Sequence, residues 1–174
     1  MPRLTVAGHP LHAVLSDWPV ALLSTVSVFD ALYLQTRKMS YAKTAQYLQT
    51  GGLFAGLLAA LAGVAEYTTI PDRHRELKSD ANMHAILNIG VMGLTGLSVY
   101  VRKKGQVPSG KLPFLLSFVS SLGLLASAWY GGEMVYRHGM RVKGVSPVED
   151  TPELEIPMSN RVSHALSSFS SRLA

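Results

Sequence analysis

The chain has 174 residues, 48% of them hydrophobic and only 16% charged, where soluble domains carry about 25% charged residues. It has no cysteine, which excludes disulfides, thiolate-held iron–sulfur clusters, zinc ribbons and cysteine nucleophiles. The net charge of +5 and pI near 9.6 would point to nucleic acid in a soluble protein; beside so much apolar sequence they are expected from basic membrane-flanking loops instead, and no nucleic-acid partner is expected.

Four apolar stretches, 13–34, 48–68, 84–101 and 112–135, approach the roughly 20 residues that a helix needs to cross a bilayer. Soluble helices would show a polar stripe at the 3.6-residue period, and 51–65 has none. Glycines recur inside the second and third stretches (Gly51, Gly52, Gly56, Gly63; Gly90, Gly93, Gly96), as suits close helix packing in lipid. The fold class expected is all-α: a four-helix transmembrane bundle over residues 1–142, then a polar tail, 143–174, with a short amphipathic C-terminal helix. In that tail, an acidic linker (149–155) precedes Val162, Leu166, Phe169 and Leu173 at helical spacing.

Four crossings place both termini and the 69–83 connection on one side. The connections 35–47 and 102–111 share the other side and carry Arg37, Lys38, Lys43, Arg102, Lys103, Lys104 and Lys111 without an acid. By the density of basic residues in short loops, that side is expected in the cytoplasm, with both termini outside a bacterial inner membrane. Asp30, near the cytoplasmic end, is expected to pair with Arg37 or Lys38.

All six histidines (His9, His12, His74, His84, His138, His164) and the acids Asp17, Glu66, Asp72, Glu76, Asp80 and Glu133 fall on the terminal side. Polar groups thus gather at one end, and no charged path through the middle is expected, which argues against a channel. In Gly8-His9-Pro10-Leu11-His12, Pro10 suits a first helical position and His9 a cap, with His12 one turn further in. His84 is expected to open the third helix with Asn88 one turn below. Imidazoles on separate helices can ligate a metal ion or both faces of a haem. His12 and His84 are therefore the expected ligands. His9, His138 and Glu133 are further candidates, Asn88 and Tyr136 are expected near the site, and Arg137 and Arg73 could meet haem propionates. The cofactor expected is haem b, or alternatively a zinc, copper or iron ion, or none. Electron transfer to a redox partner protein would follow from a bound haem or metal ion; a non-catalytic scaffold or partner subunit follows from the last, and a homo-oligomer is compatible with either. No nucleophile elbow, P-loop, HExxH or GxGxxG occurs, so no enzyme class is indicated.

Three patches together resemble a known bacterial family: Gly8-His9-Pro10-Leu11-His12, Met83-His84-Ala85-Ile86-Leu87-Asn88, and Gly131-Gly132-Glu133-Met134-Val135-Tyr136-Arg137-His138-Gly139. Phe29-Asp30 and the acid-bearing 63–71 stretch also fit. The chain resembles the membrane-protein family called domain of unknown function 2231, over about residues 8–142. The resemblance implies four transmembrane helices and no settled activity. Some relatives are fused to a Rieske iron–sulfur domain; none is expected within these residues, which hold no cysteine. Many relatives have Pro at the place of Ala13 and His at that of Asp17, so position 17 loses a ligand here.

Overall fold

The computed structural model describes residues 3–105, 108–148 and 152–156. Four long helices, α1 (Leu11–Thr36), α2 (Met39–Tyr67), α3 (Arg75–Lys104) and α4 (Lys111–Tyr136), account for most of it, and each is long and apolar enough to cross a membrane. Their surface is inverted relative to a soluble bundle. Trp18, Phe54, Leu61, Ile89, Leu125 and Trp129 project outward, while Thr95, Ser98, Ser117, Ser120 and Ser127 are buried. Apolar outside and polar inside is the arrangement that lipid selects, since hydrocarbon solvates leucine well and hydroxyls badly.

The helices outrun the apolar stretches. α2 starts at Met39 because 40–46 contains good helix formers, leaving only Arg37 and Lys38 to join α1 to α2. Arg37 makes that joint with a left-handed backbone (φ 57°), its N–H returning to the Tyr33 carbonyl at 2.8 Å. α3 begins nine residues before His84, so His84 does not open the helix but lies about 13 Å inside it. The extra turns are polar outside, while Leu77 and Ala81 pack with Ile70, Met140 and Val148 into a small cluster over the bundle end. Glu76 in the first turn and Arg102, Lys103 and Lys104 in the last complement the α3 dipole.

α1 packs on α2 and α4, and α3 on α2 and α4; α1 and α3 lie diagonally opposite, as do α2 and α4. The two hairpins are copies of one plan. Pro19, Leu23, Val26 and Asp30 are the buried face of α1, and Val91, Thr95, Ser98 and Arg102 are that of α3 at a constant offset of 72 residues. Likewise Ala45, Gln49, Gly52, Gly56 and Ala59 of α2 correspond one for one to Pro113, Ser117, Ser120, Leu124 and Ser127 of α4. His12-Ala13-Val14-Leu15 and His84-Ala85-Ile86-Leu87 stand at the same offset. The bundle therefore has a pseudo-twofold axis along its length.

A small sheet, not expected from the sequence, sits at the terminal end. β1 (Arg3–Val6) pairs antiparallel with β2 (His9–Pro10) and parallel with β3 (Glu153–Ile156). Ala7 (φ 50°) and Gly8 (φ 73°) form the two-residue turn, whose positive φ values match a type I′ hairpin. This corrects two expectations. His9 and Pro10 belong to a strand, with Pro10 preceding the helix rather than opening it and no side-chain cap on α1. The acidic stretch read as a linker folds back at 153–156, where Arg3 pairs with Glu153 at 3.4 Å. The expected amphipathic helix near the C-terminus, and His164 within it, lie outside the described residues.

Candidate functional site

His12 and His84 come from the diagonal helices α1 and α3 and meet at the bundle axis, ring centroids 6.1 Å apart and planes at 88°. Each ring is tied to its hairpin partner in the same way. His12 Nδ1–H donates to the Ala59 carbonyl at 2.9 Å, and His84 Nδ1–H donates to the Ser127 carbonyl at 2.8 Å. A carbonyl only accepts, so both rings carry their proton on Nδ1 and present Nε2 as a lone pair. Asn88 Nδ2 donates to Nε2 of His84 at 3.0 Å; Nε2 of His12 has no hydrogen-bond partner among the described residues. One turn beyond each acceptor stands a glycine. A Cβ on Gly63 would lie 2.9 Å from His12 Cε1, and one on Gly131 would lie 3.5 Å from His84 Cε1. Gly63 is thus required for the ring to seat, whereas Gly131 leaves ordinary contact distance.

The remaining candidates stand elsewhere at the same end. Exposed His9 donates from Nδ1 to the Ala7 carbonyl at 2.8 Å, inside its own hairpin. His138 Nε2 donates to Asp80 at 2.9 Å. Arg137 lies 3.3 Å from Glu76 and 3.8 Å from Glu133, and Tyr136 is almost wholly exposed. Arg73, Arg137 and His138 line a hollow of about 520 Å³ at the loop end, which does not touch His12 or His84. Glu66 pairs with Arg141 at 3.0 Å. In the 68–74 connection, the hydrogen bond and charge of Lys78 hold the Asp72 carboxyl below the usual carboxylate range. Among the described residues no three His, Asp or Glu side chains are grouped to hold a metal ion.

At the opposite end lies a cluster the sequence reading assigned otherwise. Asp30 pairs with neither Arg37 nor Lys38. It forms a bidentate pair with Arg102 (Nη1–Oδ1 2.9 Å, Nη2–Oδ2 2.5 Å), and both side chains are wholly buried. Ser109 and Ser117 donate to the two carboxylate oxygens at 2.6 and 2.7 Å, while Arg102 donates onward to Ser98 at 3.2 Å and to the Pro108 carbonyl at 2.8 Å. Arg102 therefore does not join the basic loop surface. Next to the level of that pair the amide of Gln49, and further toward the middle the hydroxyls of Thr95 and Ser120, are buried and lack partners among the described residues. Each such orphan costs about 1–3 kcal/mol. Uncharged polar groups thus stand away from the histidine end, where the sequence reading gathered the polar residues; none of the three is charged. A pairing between residues far apart in the chain leaves no local trace; the repeated His-Ala-aliphatic-Leu was the available signal, since it makes Asp30 and Arg102 equivalent.

The family described as Predicted membrane protein (DUF2231) matches residues 8–144. The chain belongs to that family. The match spans all four helices and both polar clusters of this chain. No curated protein and no solved structure matches the chain.

Proposed function

We propose that this multi-pass membrane protein holds a metal centre between His12 and His84, the iron of a haem b or a single copper or iron ion, and that the centre carries electrons at one boundary of the bilayer. The supporting observation is the convergence of two imidazoles, each with Nδ1 spent on a carbonyl. That bond fixes the tautomer and orients ligating histidines generally. Imidazoles binding one metal at about 2.0–2.1 Å from nitrogen to metal have ring centroids about 6 Å apart, close to the separation here.

The two cofactor types fit unequally. Asn88 occupies Nε2 of His84, and the α2 backbone at Gly63 lies against His12. A single ion needs Asn88 to turn aside; a porphyrin also needs two helices to part. The present packing thus favours an ion, copper or iron for one-electron chemistry, whereas zinc would be structural. The protein's own part is to fix both rings and exclude bulk water, and a redox partner protein would approach the histidine end. The basic residues left at the surface of the opposite end, Arg37, Lys38, Lys43, Lys103, Lys104 and Lys111, support a bacterial inner-membrane placement with that end in the cytoplasm and both termini outside.

Oxidised and reduced absorption spectra and elemental analysis of protein purified after haem-supplemented expression test the reading. Stoichiometric metal, with or without a Soret band and lost in His12→Ala and His84→Ala, is the expected result. Neither metal nor porphyrin would leave a scaffold or partner subunit without cofactor. The satisfied state of both His84 nitrogens favours that second reading.

A further inference from the structure

We propose that the interior of the bundle conducts protons between its histidine end and its Asp30–Arg102 end along a file of water held by buried polar side chains. Gln49, Thr95 and Ser120 are at most 2% exposed and without partners among the described residues. Lipid surrounds the helices, so nothing outside can satisfy them. The unpaired Gln49 amide offers donors and an acceptor together. A metal cation would satisfy only the oxygen and an anion only the nitrogen; water does both, and buried polar groups are its usual site.

The positions form a ladder. Ser117, which bonds Asp30, is the repeat equivalent of Gln49. Thr95 and Ser120 correspond to Leu23 and Gly52, which touch, so they stand side by side one turn further along. From Arg102 to His84 along α3 is about 27 Å, close to the hydrocarbon thickness of about 30 Å. Val91 and Leu124, packed with Leu23 at the Thr95 level, interrupt the polar column between Asn88 and Thr95. A single dry layer is what a gate requires, because it passes charge only when wetted.

The ion pair sets selectivity. The Asp30 oxygens are already taken by Arg102, Ser109 and Ser117, which leaves no ligand for a metal cation, while a proton advances by exchange: each water breaks one O–H bond as it accepts another, and no metal ion moves. The Asp30 carboxylate takes the proton on one oxygen, displacing a serine donor, and gives up that same proton on the side of Ser109 and the Pro108 carbonyl, which restores the ion pair. This holds whether or not a metal sits between the imidazoles.

The full chain in liposomes containing a pH-sensitive dye, with a valinomycin-set potassium potential, tests the proposal. Wild type should pass protons above protein-free vesicles and pass no sodium. Gln49→Leu and Thr95→Val should fall to the protein-free rate without a lowered melting temperature, because no described protein group loses a hydrogen-bond partner. Leu124→Ser should exceed wild type by wetting the apolar layer. Wild-type flux no greater than that of empty vesicles, or equal in wild type and Gln49→Leu, overturns the proposal. Should Gln49→Leu fail to fold, a Leu124→Ser rate no higher than wild type overturns it equally.

Discussion

Asp30 and Arg102 carry opposite charges in a place where neither could be tolerated alone. Burial makes each costly, and the bidentate geometry with two serine donors offsets that cost. Asp30→Asn should destabilise the protein by about 3–5 kcal/mol by leaving the guanidinium uncompensated. Asp30→Leu combined with Arg102→Met should recover most of that loss, as a double-mutant cycle of unfolding in detergent will show. The two glycines beside the imidazoles invite a paired comparison. Gly63→Ala should cost about 1–3 kcal/mol, because a Cβ there meets the rigid His12 ring below 3.0 Å. Gly131→Ala, with 3.5 Å to His84, should cost less than about 1 kcal/mol. Equal melting temperatures for the two variants would contradict the ring placement.

Among the elements, the two-residue joint between α1 and α2 is the tightest. Arg37 holds a left-handed backbone that its Cβ disfavours, while its guanidinium lies 5.8 Å from the Tyr33 ring centre. Arg37→Gly should therefore be more stable to unfolding than Arg37→Val by about 1–2 kcal/mol, since a β-branched residue suits that conformation least. Helix ends were the least legible part of the sequence. Apolar content locates what lies in lipid, yet a helix continues for as long as its residues permit; hence α3 extends back from His84 to Arg75 and α2 to Met39. The sheet was illegible for a related reason. Strands of four and two residues carry no usable alternation, and β3 reaches β1 from the far end of the chain.

At the scale of the whole molecule, the absence of cysteine provides a clean background for mapping sidedness. Arg73→Cys should react with a membrane-impermeant maleimide in intact cells, and Lys104→Cys only after permeabilisation; the reverse pattern would invert the proposed orientation. Four spans and a meeting of His12 with His84 were readable from hydropathy and from the shared side of the histidines. The separation of His9 and His138 from that pair was not, because a hairpin turn and the partner Asp80 divert them.

The equivalence of Asp30 and Arg102 also bears on how such a molecule can be built. A dimer of two identical hairpins would set acid against acid or base against base at that level, and neither arrangement could neutralise itself. Joining the copies in a single polypeptide frees each to evolve separately, so that one half supplies the anion and the other its counterion. Fusion here is what makes electroneutrality on the symmetry axis attainable, and separately expressed halves should assemble only as unlike pairs.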